Sequence, residues 1–315
     1  MMEKGLVDGT GQEAPRWKPF GLLLRNPVMV KEVRGRMRGA RAFSVLTIYL
    51  TLLGVFAVLI YLVVTESSTS VSGQADVGEI GRTLFGGVVA IEMLLISFIA
   101  PAFTAGALSG EREHQTFELL RASLLPPYAL VWGKLTAAML YVMLLLLAAI
   151  PLQSIAFFFG GVTETELLLG LVVLTVSALF FSAVGVYFSA GARRTLSASL
   201  LTYAVIAFFM FGIPLLVGVM MGLGDFSLDT LGTSAFEMAM LYVIGIALSL
   251  NPPATALLTQ YLLVNRHTTG LFSYTLVNGE SVTLVAPWIP FTALYLVLAG
   301  VFFALAVRRL NVVME

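Results

Sequence analysis

Residues 83–108, TLFGGVVAIEMLLISFIAPAFTAGAL, hold a single ionisable side chain, Glu92. A helix crossing a bilayer needs about 20 mostly apolar residues, and this run exceeds that. Five more stretches also qualify: 43–64, 128–160, 167–190, 197–221 and 288–307. The third span, 128–160, begins outside the hydrocarbon, because Lys134 near its start can snorkel to the interface. Across the chain of 315 residues, 58% are hydrophobic, 11% are charged and the mean hydropathy is +0.94. A soluble domain is roughly 45–50% apolar and about 25% charged, so a soluble enzyme is excluded. The 18 basic and 18 acidic residues cancel, which gives no nucleic-acid partner. Cysteine is absent, which removes thiolate metal sites and cysteine nucleophiles. The fold class predicted is all-α, a polytopic membrane protein of six transmembrane helices.

Two shorter apolar pieces, 235–250 and 253–264, flank Asn251-Pro252-Pro253. Proline lacks the backbone donor that a helix needs, and broken helices at membrane depth survive only inside protein or along a cavity. The segment 235–264 is therefore expected to be a re-entrant hairpin before the last span. With the N-terminus inside, 16 of the 18 Lys and Arg residues fall on the cytoplasmic side, leaving Arg82 and Arg266 outside. This positive-inside bias places both termini in the cytoplasm, in a prokaryotic cytoplasmic membrane. Residues 1–21 and 311–315 are expected to be cytoplasmic tails around a membrane domain at 22–310. Residues 65–82 read as a polar outer loop and Thr163-Glu164-Thr165-Glu166 as a tight outer turn.

From Asn26 to Phe43 the sequence reads as one amphipathic elbow helix on the inner membrane face. Lys31, Arg34, Arg38 and Arg41 share one arc, while Val30, Val33, Met37 and Ala40 share another. Its cations either enforce topology alone or also touch a cytoplasmic partner. Between spans two and three, residues 109–125 read as a short helix with Ser109 as N-cap and acids in the first turn. Phe117, Leu120 and Leu124 form its apolar stripe, Glu111, Gln115 and Glu118 a polar face turned to the cytosol, and Pro126-Pro127 its stop. Such a helix either stands solvated or docks a partner.

The string GEREHQTFELLRASLLPPYALVWGKL at 110–135 resembles the segment after the second span of ABC-2 type transporter permeases. Glu111, Arg112, Glu113, Thr116, Glu118, Leu119, Leu120, Pro126, Gly133 and Lys134 match that family's pattern, and Gln115 stands where a Gly is usual. Asn26-Pro27-Val28 and Lys31-Glu32-Val33-Arg34 look like the family's opening ahead of span one. The resemblance implies the membrane subunit of an ATP-driven exporter, working with an ABC ATPase dimer and a second permease subunit, the same or a related chain. It implies that 109–125 is the coupling helix seated in the ATPase, through Glu111, Arg112, Glu113, His114, Thr116, Phe117, Glu118 and Arg121. A minor contact would come from Arg193 and Arg194, and a third from the elbow. No GxxxxGK[ST] phosphate loop occurs in the chain. No cofactor is expected on this chain and no catalysis by it; ATP and Mg would sit in the partner.

Glu92 lies deep in span two, where an ionised carboxylate is costly. It lines a pathway, or it is a neutral carboxyl satisfied at a helix interface. Pro101, Pro151 and Pro214 mark kinks or hinges, and Gly86, Gly87 and Ala90 permit close helix packing, including a dimer face. His114 and His267 fall on opposite sides of the membrane, which excludes a joint metal site. An ion-coupled secondary transporter using Glu92 and the Asn251-Pro252 break is the alternative reading, with an amphipathic or lipid-like cargo favoured under the exporter reading.

Overall fold

In a computed structural model, residues 27–37, 40–72, 77–118, 125–223, 234–266, 268–275 and 281–314 are described. The elbow is α1 (Pro27–Met37). The spans follow as α2 (Ala40–Ser72), α3 (Val77–Thr104), a short α4 (Ser109–Glu113), α5 (Pro127–Phe158) and α6 (Glu164–Gly191). Span five is α7 (Thr195–Ala207), a π-turn at Phe208–Gly212 and α8 (Ile213–Leu223). The hairpin is α9 (Ser234–Ser249) and α10 (Pro252–Arg266), followed by strands β1 (Leu271–Thr275) and β2 (Ser281–Val285) and by α11 (Trp288–Met314). Among the described residues six helices are long and apolar enough to cross a membrane, matching the six expected stretches, and the α9–α10 pair bends by 114°. The chain is a polytopic helical membrane protein, an architecture consistent with a membrane permease in the general sense.

The centre of the bundle is α6. It packs most extensively against α11 and α3, and Leu174, Phe180, Phe181 and Val184 on it are fully buried. Phe180 stacks edge-on with Phe209, Tyr295 and Phe302, joining spans four, five and six. Gly185 is what lets α3 and α6 touch: a Cβ there would lie 2.1 Å from the Thr104 hydroxyl oxygen. By contrast α2 keeps a long apolar face outward, including Ile48, Val55, Val58 and Leu62. At the start of α6 the outer turn is a complete capping box, in which Thr163 and Glu166 exchange side-chain and backbone hydrogen bonds.

The structure refines several of these expectations. Residues 27–37 and 40–43 of the expected elbow helix are helical, while residues 26, 38 and 39 lie outside the described residues. In the elbow, Val28 is the buried anchor and Val30 is exposed. The outer loop at 65–82 is largely helical, since α2 runs to Ser72 and α3 starts at Val77. Gly86 and Gly87 permit close packing within the chain, against Gln260 of α10 and Ile60 of α2. Finally, residues 271–285 contribute an antiparallel ribbon, Leu271 opposite Val285 and Thr275 opposite Ser281, beside the otherwise all-α bundle.

Candidate functional site

Three consecutive residues after span two reach three different parts of the bundle. Lys134, 2% exposed on α5, places its Nζ 3.2 Å from Glu111 Oε1 and 3.0 Å from Glu32 Oε1 of the elbow. Glu111 Oε2 accepts from Thr116 Oγ1 at 2.5 Å. The Arg112 fork donates to Ala192 O at 2.9 Å and Ala190 O at 2.7 Å. These carbonyls end α6, where the helix dipole is negative and intrahelical donors have run out. The same guanidinium lies 4.9 Å over the Phe117 ring. Glu113 Oε2 accepts from Thr195 N at 3.3 Å and from the Thr195 hydroxyl, which caps the start of α7. One short segment thus ties the elbow and the ends of spans two to five into a single node.

The node departs from the helix expected over 109–125. Ser109–Glu113 is helical, Gln115 takes φ 57°, a left-handed conformation that breaks the helix, and Phe117–Glu118 are helical again. Residues 119–124, with Arg121, Leu120 and Leu124, lie outside the described residues. Ser109 is not the N-cap: its hydroxyl donates to Ala105 O, and Ser189 of α6 accepts from Leu108 N at 2.8 Å and Ser109 N at 3.0 Å instead. The acids are not simply displayed either, since Glu111 is half-buried in ion pairs. Phe117 is buried beneath Arg112. Exposed around the node stand Glu113, His114, Gln115, Glu118, Arg193 and Arg194, with Lys31 and Arg34 on the elbow. Arg38 and the Arg41 side chain lie outside the described residues.

Gln115 carries a prediction. A left-handed residue other than glycine costs about 1–2 kcal/mol, partly offset by the extra chain entropy of glycine. Gln115→Gly is therefore expected to raise stability by roughly 0.5 kcal/mol. Gln115→Pro forces φ to about −65° and should lower it clearly, both read by intrinsic-fluorescence melting in detergent.

Within the membrane, Glu92 is fully buried and its Oε2 accepts from Gln153 Nε2 at 2.6 Å, while its Oε1 has no partner among the described residues. Asn251 sits elsewhere. Pro214 has no N–H, so the π-turn is one donor short at the carbonyls of Phe209 and Met210, which that N–H would serve in π or α geometry. Asn251 Nδ2 supplies both bonds, at 2.7 Å and 2.9 Å, and its Oδ1 accepts from Ala254 N to start α10. Tyr295 donates to Leu250 O at 2.7 Å. The hairpin tip, with Pro252 buried beside it, is thus locked into spans five and six. Asn251→Leu should cost about 2 kcal/mol, from buried acceptors left unpaired. Pro214→Ala in that background should recover part of it, because a donor returns.

Sequence reasoning missed Ser189, Ala190, Ala192 and Thr195 as partners of the node. Their contribution is largely backbone or small hydroxyls, which carry no composition signal. Neither the models of known protein families nor the curated proteins contain a match to this chain.

Proposed function

We propose that this chain is the permease subunit of an ATP-driven ABC exporter, coupled at the node to a separate ATPase dimer, and paired with a second permease subunit. The observation that carries the reading is a convergence. Glu32, Glu111, Arg112, Glu113, Thr116 and Lys134 belong to the three short strings that resemble ABC-2 permeases. Separated by up to 102 residues in sequence, Glu32, Glu111, Thr116 and Lys134 meet in one hydrogen-bonded cluster, and Arg112 and Glu113 beside them bond the ends of α6 and α7. Gln115, the departure from that pattern, occupies the left-handed position where glycine is the unstrained residue.

A load on the 113–118 surface would reach five elements at once through Glu111, Arg112 and Glu113. Such a device suits transmission of ATP-dependent movement to the bundle, because two-state packing amplifies small shifts. In this reading the node faces the cytoplasm with both termini, no catalysis occurs on this chain, and ATP and Mg are held by the partner. The ion-coupled alternative lacks a joined site: Glu92 bonds Gln153 while Asn251 bonds the π-turn. The test is reconstitution with the candidate ATPase in vesicles. ATP-dependent movement of an amphipathic cargo supports the exporter. Movement driven by an ion gradient without ATP supports the alternative.

A further inference from the structure

A cavity of about 50 Å³ lies between α3, α6 and α10, at the end of the bundle opposite the node, walled mainly by apolar side chains such as Phe85, Val89 and Leu169. Two polar groups in its wall are buried and unsatisfied. Glu166 is 4% exposed and Thr259 5%, and neither Glu166 Oε2 nor Thr259 Oγ1 has a partner among the described residues. Burying such groups unpaired is costly, and each calls for an occupant. The other Glu166 oxygen, Oε1, is committed to the Thr163 cap, so its free oxygen is held in place by the capping box.

Gln260 adds a third acceptor to the same wall. Its Nε2 donates to Arg82 O at 3.1 Å, and its Oε1 lies against Gly86, where a Cβ would come within 2.7 Å. The wall residues Gly86, Ala90, Leu257 and Gln260 continue into a broad shallow groove that reaches Ile60 of α2 and Arg82. The groove therefore has an acid and two further acceptor oxygens at one end, apolar surface beyond them, and Arg82 in its lining, whose guanidinium Nε donates to Gly161 O at 2.8 Å.

We propose that this cleft binds the primary ammonium headgroup of a bilayer aminophospholipid, with its phosphate at Arg82 and its acyl chain along the groove. A primary ammonium carries three donors and matches acceptor oxygens; a quaternary ammonium has none and does not. The charged acceptor makes the bond to Glu166 the strongest of the set. Water alone would satisfy the same oxygens without selecting any lipid, which the test separates.

The experiment uses the full chain with no ATPase present, so its outcome is independent of the coupling reading. The protein is purified from nanodiscs containing equal phosphatidylethanolamine, phosphatidylcholine and phosphatidylglycerol, and retained lipids are counted by native mass spectrometry. Selective retention of phosphatidylethanolamine is expected. Glu166→Gln should weaken that selectivity about tenfold through loss of a charge-assisted bond, while glutamine still supports the capping box. Thr259→Val, which leaves the cap untouched, should weaken it by a smaller factor and carries the test if the first variant melts early. Equal retention of phosphatidylcholine and phosphatidylethanolamine by the parent protein would overturn the proposal, as would undiminished selectivity in Thr259→Val and in a folded Glu166→Gln.

Discussion

Lys134→Met is expected to destabilise the folded protein by about 3 kcal/mol, read as a lower melting temperature by intrinsic fluorescence in detergent. Removing one partner of a buried ion pair leaves the others uncompensated, at a cost of roughly 3–5 kcal/mol. Here the acids Glu32 and Glu111 are about one-fifth exposed, so water screens part of that cost and the lower end applies. The node predicts a specific rescue. Glu32→Gln and Glu111→Gln together, in the Lys134→Met background, remove the two carboxylate charges that faced Lys134 and should recover much of the loss. If the triple variant melts no higher than Lys134→Met, the ion-pair triad does not hold the elbow to spans two and three.

The second large effect is functional. Arg112→Ala removes the fork that closes the end of α6 and rests on Phe117. Two charge-assisted bonds at about 1.5–3 kcal/mol each are lost in a half-buried setting, so some loss of stability accompanies the change. Under the exporter reading the diagnostic result is different: hydrolysis by the ATPase continues, but transport per ATP falls by roughly 10–100-fold, the range of an ordinary coupling free energy. Arg112→Lys should recover only part, since a point-like ammonium cannot span both carbonyls as the planar fork does. Equal loss of hydrolysis and transport would point to failed docking instead.

Much of the bundle was legible because bilayer thickness imposes a length and composition that six stretches meet openly. The hairpin was legible for a similar reason, since Asn251-Pro252-Pro253 cannot continue a helix. What the chain did not reveal is where its charges point. Glu111 and Glu113 at the start of a short helix read as acids turned to solvent, yet Glu111 pairs with Lys134 and the exposed Glu113 bonds Thr195 at the start of α7, partners distant in sequence that meet only in three dimensions. Lys134 read as a snorkelling cation for the same reason. The ribbon at 271–285 left a fainter signal. Val282, Leu284 and their Ser and Thr neighbours alternate, and Asn278-Gly279 stands between the strands, a pattern typical of hairpins. It was overshadowed by the apolar runs on either side. Asn251 was singled out for breaking a helix, whereas its larger role is to satisfy the carbonyls that Pro214 leaves open.

The central claim is that the surface around the node receives an ATPase. A photo-crosslinking amino acid placed at His114 or Glu118, both exposed, and irradiated in native membranes measures this most directly. The account predicts a crosslinked partner carrying a GxxxxGK[ST] phosphate loop, with crosslinking changed by ATP. A chain that is folded and inserted in the membrane, yet crosslinks to no such ATPase from either position, would contradict it.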